Sequence, residues 1–157
     1  YEPRAVRELI WLLKYERKTY AARQLAHLML RHLAALRPDM QGMIIVPVPL
    51  HRSRERERGF NQATLIGARL ADALSVPCMP KALARVKHTP PQAETKSREE
   101  RRANIMGCFS GNAALVRGAS ILLVDDVFTS GETVREAVRA LKAAGAKTVV
   151  ALVAALA

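Results

Sequence analysis

Residues 121–133, ILLVDDVFTSGET, decide the fold of this chain. Residues 121–124 form an apolar run that is too short for a helix and is typical of a parallel-sheet strand buried on both faces. Asp125 and Asp126 follow at the predicted carboxyl end of the strand, and the turn TSGET (129–133) leads into a pattern that predicts a helix over 134–144. The stretch therefore predicts a strand–turn–helix unit of an α/β fold.

The 129–133 turn has the composition of a phosphate-binding site. At a helix N-terminus, backbone N–H groups point at a bound anion and the helix dipole favours its charge, while Thr and Ser hydroxyls donate further hydrogen bonds. Ligands of open α/β sheets bind in the crevice beyond the strand ends. The plainer interpretation is a helix cap at Thr129 or Ser130 with Glu132 in the first turn, but a cap does not require two preceding aspartates.

The aspartate pair restricts which phosphate compound could bind. Two carboxylates repel a phosphate unless they accept hydrogen bonds from sugar hydroxyls or hold Mg²⁺, directly or through water. Ribose 5-phosphate, which carries vicinal hydroxyls and a phosphate, satisfies both halves of the stretch. Receiver domains place their acidic pair after the first strand, and a Walker B strand requires an upstream GxxxxGK[ST], which this chain lacks.

The strand, the Asp-Asp pair and the hydroxyl-rich turn together resemble the phosphoribosyl diphosphate (PRPP) motif of type I phosphoribosyltransferases. The resemblance implies an open, mainly parallel twisted sheet flanked by helices. It also implies that Asp125 and Asp126 are the catalytic residues, that they bind the ribose hydroxyls, and that they hold Mg²⁺ mostly indirectly. The implied 5-phosphate loop consists of Val127, Phe128, Thr129, Ser130, Gly131, Glu132 and Thr133.

A second strand–loop–helix unit lies upstream. Residues 43–48 predict a buried strand. Residues 52–58 predict a cationic loop that closes at Gly59. Asn61 is the predicted N-cap of a helix over 62–74. Arginine suits a diphosphate because its contacts are bidentate and permanently charged. The alternative is a solvated, salt-bridged surface loop. The predicted diphosphate loop contains Pro49, Leu50, Arg52, Arg54, Arg58, Gly59 and Asn61.

The remaining segments predict an N-terminal pair of helices and a lid. Apolar residues at helical spacing indicate helices over 3–15 and 20–36, within an N-terminal part of residues 1–40. Further strands are predicted within 76–86 and over 106–110 and 147–156, with a loop over 111–118 and a helix stop at Gly145. The polar stretch inside 85–105 predicts a flexible lid that excludes water from a polyphosphate; its candidate residues are His88, Gln92, Lys96, Arg98, Arg101 and Arg102.

Composition limits the class of protein. A chain of 157 residues predicts a single domain, and a formal net charge of +11 predicts an anionic partner. Cys78 and Cys108 belong to no CxxC pair, so we expect free thiols in a reducing cytoplasm. The sequence predicts neither a membrane span nor a signal peptide, and a first residue other than Met suggests a fragment.

Four segments make the resemblance more specific: VPVPLHRSRERERGFNQA (46–63), RVKHTPPQ (85–92), SREERRANIMGCF (97–109) and LLVDDVFTSGET (122–133). In order and spacing they are similar to the ComF family, phosphoribosyltransferase-like proteins linked to competence and DNA uptake. The resemblance implies PRPP as substrate, Mg²⁺ as cofactor, transfer of ribose 5-phosphate to an unidentified nucleobase-like acceptor, and association with competence machinery, and it allows a homodimer. Family members often carry an N-terminal CxxC zinc ribbon, which is absent here.

Two other functions remain open. The same charge would suit a non-catalytic protein that binds single-stranded DNA or RNA or acts as a regulator, although few aromatic residues are present for base stacking. A degenerate, inactive fold is the third interpretation, and the intact aspartate pair and Gly131 speak against it.

Overall fold

The computed structural model describes residues 3–36, 39–87 and 103–156. The helices are α1 Pro3–Tyr15, α2 Tyr20–Leu36, α3 Arg52–Arg58, α4 Gln62–Leu74, α5 Ala113–Val116 and α6 Glu132–Ala143. The strands are β1 Met43–Pro47, β2 Leu83–Arg85, β3 Phe109–Gly111, β4 Ser120–Phe128 and β5 Thr148–Leu156, and a 3₁₀ turn spans Pro80–Ala82. The predicted N-terminal helical pair has the bounds expected from its periodicity.

Strand β4 is the centre of a parallel sheet with the order β1-β4-β5. Ile45 of β1 pairs with Leu122, and Leu122 pairs with Val150 of β5. The parallel sheet predicted from the apolar run is therefore confirmed, and both neighbours of the central strand end at the same edge of the sheet.

Alternate side chains of β4 enter two hydrophobic cores. Leu122 and Val124 pack with α1, α2 and α4, whereas Ile121 and Leu123 pack with α6 and the β2–β3 pair. All four residues are at most 1% exposed. Because side chains of successive strand residues point to opposite faces, burial of all four means that both faces of the sheet are covered. The flanking layers leave the carboxyl end of β4 as the place where a ligand can approach.

The strand β4 is longer than predicted, and this changes the setting of the acidic pair. Its ladder with β5 continues through Asp125, which pairs with Val153, and Val127, which pairs with Ala155. Asp125 and Asp126 therefore lie inside the strand rather than after it. The extension follows from the nine-residue apolar strand β5, which supplies partners beyond Val124.

The predicted cationic loop over 52–58 is wrong, because these residues form helix α3. The His51 side chain accepts a hydrogen bond from the Ser53 N–H, and Gly59 ends the helix in the left-handed region at φ 85°. Arginine and glutamate are good helix formers, so caps at both ends suffice for a short helix without buried residues. The four arginines of this segment are consequently distributed around the helix, so they do not all face the same side.

Smaller differences concern boundaries. The 111–118 stretch predicted as a loop contains α5, whose N-cap is Asn112. Strand β3 begins at Phe109 instead of residue 106, because Gly107 turns the chain at φ 69°. The predictions for β1, α6 and β5 differ from the observed bounds by one or two residues, and β2 occupies the end of the predicted 76–86 segment. Gly145, at φ 99°, follows the C-cap of α6 as predicted.

Two further observations concern thiols and membranes. Cys78 and Cys108 are free thiols. In the described ranges no helix is both long and apolar enough to cross a bilayer.

Gly111 permits close packing of β3 against α6. A Cβ at this position would lie 2.9 Å from the Ala140 carbonyl oxygen and 2.7 Å from the Ala144 Cβ. We expect Gly111→Ala to lower the free energy of unfolding by about 1–3 kcal/mol, since backbone has to shift to accommodate the methyl group. Urea unfolding checks this, with the exposed neighbour Ser110→Ala as control. Equal midpoints for Gly111→Ala and the wild type would contradict the close packing.

Candidate functional site

A cavity of about 250 Å³ lies where β1 and β4 end. It brings together residues that are far apart in sequence. The predicted diphosphate loop contributes Pro49, Leu50, Arg54, Arg58 and Asn61. The acidic pair and the predicted 5-phosphate loop contribute Asp125, Asp126, Val127, Thr129 and Thr133. Lys14, Val48, His51, Gln62, Ala63 and Arg85 complete the lining. The acidic pair, the turn before α6 and a set of cations therefore share one cavity.

Other predicted site residues do not line this cavity. Arg52 and Gly59 line a separate surface depression with Glu55 and Arg56. Phe128, which was predicted in the 5-phosphate loop, is the last residue of β4, whereas Ser130, Gly131 and Glu132 belong to the turn and the start of α6. None of these four residues lines the cavity. The predicted lid residues His88, Gln92, Lys96, Arg98, Arg101 and Arg102 lie outside the described residues.

The turn before α6 is not a side-chain cap. Gly131 is the N-cap, with φ 78°, and no side chain caps the helix. The alternative in which Thr129 or Ser130 only caps the helix is therefore wrong. The Ser130 Oγ is buried without a hydrogen-bond partner among the described residues. Since Thr129 and Thr133 line the cavity, their hydroxyls can reach a ligand that binds at the helix N-terminus.

Each aspartate has one oxygen engaged within the protein. The Asp126 N–H donates to Oδ1 of Asp125 at 2.9 Å, and Oδ2 of Asp126 lies 2.8 Å from Nζ of Lys14. Asp126 is 8% exposed. The contact with Lys14 orients the second carboxylate, and in the described part of the chain the remaining oxygen of each aspartate makes no other hydrogen bond or ion pair. Those oxygens can accept hydrogen bonds from two adjacent hydroxyls.

Burial controls the charge of the first aspartate. Desolvation and then the adjacent charge of Asp126 raise the pKa of Asp125 to about 7, although the Asp126 N–H, Lys14 and Arg85 act in the opposite direction. In the absence of a ligand this carboxyl group thus titrates near neutral pH. A ligand that brings hydroxyl donors or a cation would favour its ionised form.

We expect Asp125→Asn to stabilise the unliganded protein at high pH. The folded pKa lies above the ordinary value of 3.8, so the folded state binds more protons between these values and wild-type stability falls as pH rises through that range. The variant should be more stable than wild type at pH 8, by about 1–4 kcal/mol, with a difference that vanishes near pH 4. Urea unfolding across pH measures this, with the exposed Asp72→Asn as control. A difference independent of pH would contradict the raised pKa.

Cations at the cavity come from three elements. Arg54 and Arg58 extend from α3, Lys14 from α1, and Arg85 from the end of β2. The Arg85 guanidinium lies 5.6 Å from the Phe109 ring centre. Burial lowers the pKa of Arg85, but an arginine remains charged at physiological pH. An anionic ligand in this cavity would therefore meet positive charge in addition to the turn before α6.

Sequence reasoning missed Lys14 and Arg85. Helical periodicity puts Lys14 on the face of α1 away from the apolar residues, and only the tertiary packing of α1 beside β4 brings it to Asp126. Arg85 begins the 85–92 segment used for the family resemblance, so a signal for it existed. Gln62 lies in the 46–63 segment used for the family resemblance, so a signal for it existed as well.

The first turn of α4 forms another wall of the cavity. Oδ1 of Asn61 accepts from the Ala63 N–H, and its Nδ2 donates to the Val48 carbonyl oxygen, both at 3.0 Å. Asn61 is thus the predicted N-cap, and it also fastens the loop after β1 to the helix. Two helix N-termini, those of α4 and α6, consequently border the same cavity.

The acidic pair could supply only some of the ligands that a Mg²⁺ ion requires. Among the residues that the structure describes, no group of three or more His, Cys, Asp or Glu could hold a metal ion. Mg²⁺ accepts few protein carboxylates when phosphate oxygens and water supply the other ligands. The site is therefore compatible with Mg²⁺ that arrives with a phosphorylated ligand.

Comparison with known proteins identifies the class. Residues 61–157 match the family model "Phosphoribosyl transferase domain", a range that includes α4 and the acidic pair and begins after α3. The chain belongs to this family.

Curated relatives narrow the class. "Competence protein F" of Haemophilus influenzae is 32% identical over 148 residues, covering 90% of this chain and 63% of the relative. "DNA utilization protein YhgH" of Escherichia coli K12 is 33% identical with the same coverage, and "Competence protein ComFC" of Bacillus subtilis is 35% identical over 104 residues, covering 66% of this chain and 40% of that relative. Within its family the chain is thus a ComF-type, phosphoribosyltransferase-like protein. It spans less than two thirds of the length of these relatives.

Solved structures agree on the fold. Adenine phosphoribosyltransferase of Saccharomyces cerevisiae superposes with a TM-score of 0.58 at 19% identity, covering 90% of this chain and 71% of that one. The glutamine PRPP amidotransferase of B. subtilis gives a TM-score of 0.56 at 21% identity, covering 85% and 26%. At these identities the similarity establishes the type I phosphoribosyltransferase fold.

Proposed function

We propose that this protein binds PRPP with Mg²⁺ and transfers its ribose 5-phosphate to a nitrogenous acceptor, with release of diphosphate. The observation that supports this most is the cavity whose lining includes two adjacent carboxylates, the turn before α6 and a set of cations. Each part matches a different portion of PRPP: vicinal hydroxyls, a terminal phosphate and a diphosphate.

The sugar would be held by β4 and the turn that follows it. The unengaged oxygens of Asp125 and Asp126 accept hydrogen bonds from the ribose hydroxyls. The 5-phosphate lies at the N-terminus of α6, where Thr129 and Thr133 donate hydroxyl hydrogen bonds and the helix dipole favours the negative charge. Lys14 keeps Asp126 in place through their 2.8 Å contact.

The diphosphate would lie toward the other wall of the cavity. Arg54, Arg58 and Arg85 provide positive charge there. Mg²⁺, when bound, neutralises part of the negative charge of the leaving group. Because the arginines retain their charge and line the cavity, they would stabilise charge that develops on the departing diphosphate.

The reaction exchanges one bond at C1 of the ribose. The C1–O bond to the diphosphate breaks with its electron pair leaving on oxygen, and a nitrogen lone pair of the acceptor forms the new C1–N bond. The acceptor nitrogen then loses its proton to water. The protein would contribute mainly by positioning and by electrostatic stabilisation. A lid within residues 85–105, carrying His88, Gln92, Lys96, Arg98, Arg101 and Arg102, remains a proposal for excluding water.

The cellular setting is also part of the proposal. The names of the relatives connect them with competence and DNA utilization, and we propose that this cytoplasmic protein serves DNA uptake. A homodimer remains a proposal that follows from the family resemblance.

A second candidate function is binding of single-stranded nucleic acid. Trp11, Tyr15 and Tyr20 are 51%, 67% and 55% exposed, and the Trp11 and Tyr15 ring centres are 6.1 Å apart. The Arg58 guanidinium lies 6.0 Å from the Tyr15 ring centre. Exposed rings beside a cation are the components of base stacking and backbone binding. This arrangement supports the second candidate function, although the low aromatic content did not suggest it.

Diphosphate release in the presence of PRPP, Mg²⁺ and a panel of nitrogenous bases tests catalysis and acceptor together. Transferase activity predicts release that depends on one class of base. A parallel titration of a labelled single strand at several salt concentrations tests the second function, which predicts affinity that falls steeply with salt. Salt-sensitive strand binding without diphosphate release would favour the second function over the first.

A further inference from the structure

We propose that the side-chain amide of Gln62 donates a hydrogen bond to the diphosphate of the bound sugar, and that it makes the site selective for a C1-diphosphate over a C1-hydroxyl. This inference rests on the proposed binding of PRPP. It adds a residue that lies outside both predicted loops.

The side chain of Gln62 is buried, and its amide nitrogen is unpaired within the described part of the chain. The residue is 2% exposed, and among the described residues its Nε2 finds no hydrogen-bond acceptor. Buried amide groups are nearly always paired, because an unsatisfied donor forfeits its hydrogen bonds to water. A glutamine that served only the fold would be expected to pair within the protein.

The position of Gln62 gives its amide access to a ligand. Gln62 lines the same cavity as the acidic pair and is the first residue of α4, a helix of 13 residues. Its N-cap, Asn61, fixes the start of the helix by accepting from the Ala63 N–H and donating to the Val48 carbonyl oxygen. The amide is consequently held against the cavity rather than on a mobile surface.

The chemistry of this wall favours an anion. An NH₂ group can only donate, so its partner must carry acceptor oxygens. The N-terminal end of α4 adds partial positive charge, and Arg54 and Arg58 line the same cavity. The turn at the start of α6 already accounts for the 5-phosphate, so the diphosphate is the anionic portion of PRPP that remains for α4.

Gln62→Leu tests the proposal because it keeps similar bulk and removes the donor. Calorimetry with Mg²⁺ should show binding of PRPP and of inorganic diphosphate weakened about 10- to 100-fold, as expected for a hydrogen bond to a charged group. Ribose 5-phosphate should bind within about twofold of wild type, since Gln62 would not contact it. The unliganded variant should be at least as stable as wild type in urea, because a buried unpaired donor has been removed.

The matched control is Gln24→Leu, which changes the same residue type at an exposed position of α2 and should leave all three affinities unchanged. If wild-type protein binds PRPP and Gln62→Leu binds it equally well, the inference is wrong while the proposed function stands. An unliganded Gln62→Leu protein that is less stable and loses all three ligands alike would show a structural role and overturn the inference. Failure of wild-type protein to bind PRPP or diphosphate overturns the proposed function itself.

Discussion

Asp125→Asn combined with Asp126→Asn is expected to weaken PRPP binding at least 100-fold. In the proposed complex each carboxylate accepts a hydrogen bond from a ribose hydroxyl, and a charge-assisted hydrogen bond is worth about 1.5–3 kcal/mol. Asparagine keeps the size of each side chain but loses the charge that holds the sugar and favours Mg²⁺. Calorimetry with PRPP, in the presence and absence of Mg²⁺, measures the effect.

The loss should come from the site rather than from unfolding. Replacing Asp125 removes a carboxyl group whose pKa burial raises to about 7, so that substitution stabilises the unliganded protein above neutral pH. Replacing Asp126 removes the charged partner of Lys14, whose Nζ lies 2.8 Å from Oδ2 of Asp126. Thermal melting of the double variant tests whether it is folded. Asp72→Asn is the control for loss of a surface carboxylate. Unchanged PRPP affinity in a folded double variant would refute the assignment of the acidic pair.

Gly131→Ala is expected to weaken binding of PRPP and of ribose 5-phosphate by about tenfold or more, because it deforms the turn that receives the phosphate. Gly131 has a φ of 78°, and a Cβ there would collide with the Phe128 ring. The left-handed backbone alone should cost about 1–2 kcal/mol of folding stability. Inorganic diphosphate, which would bind at the opposite wall, should be affected much less.

Gly118→Ala is a matched control for this substitution. Gly118 has nearly the same φ, 73°, but a Cβ there would meet nothing within 4 Å, and the residue does not line the cavity. Both variants should therefore lose similar backbone stability, whereas only Gly131→Ala should lose ribose 5-phosphate. Equal ligand affinities in the two variants would contradict a phosphate site at the start of α6.

Local patterns predicted the framework because short-range chemistry determines it. The apolar run at 121–124 has no polar side that could face water, so it predicted a strand buried on both faces. Leu122 and Leu123 indeed pack in different cores. Asn61 before a helical pattern predicted the cap that the structure contains. Gly145 likewise marked the end of α6.

The parts that sequence reasoning missed depend on contacts between distant segments. The Lys14–Asp126 pair joins α1 to β4, and helical periodicity says only that Lys14 avoids the apolar face. The extension of β4 through the acidic pair depends on β5 as its partner. The charge pattern of residues 52–58 could not distinguish a cationic loop from a helix, because alternating Arg and Glu are compatible with both. The caps at His51 and Gly59 favour the helix. The partnerless Nε2 of Gln62 becomes visible only in a packed structure.

The most direct test of the central claim is a calorimetric titration of the wild-type protein with PRPP in the presence of Mg²⁺. The proposed site, in which an acidic pair, the turn before α6 and several cations line one cavity, predicts saturable binding of one PRPP molecule per chain, competed by ribose 5-phosphate and by diphosphate. No heat of binding, together with no thermal stabilisation by PRPP, would contradict it.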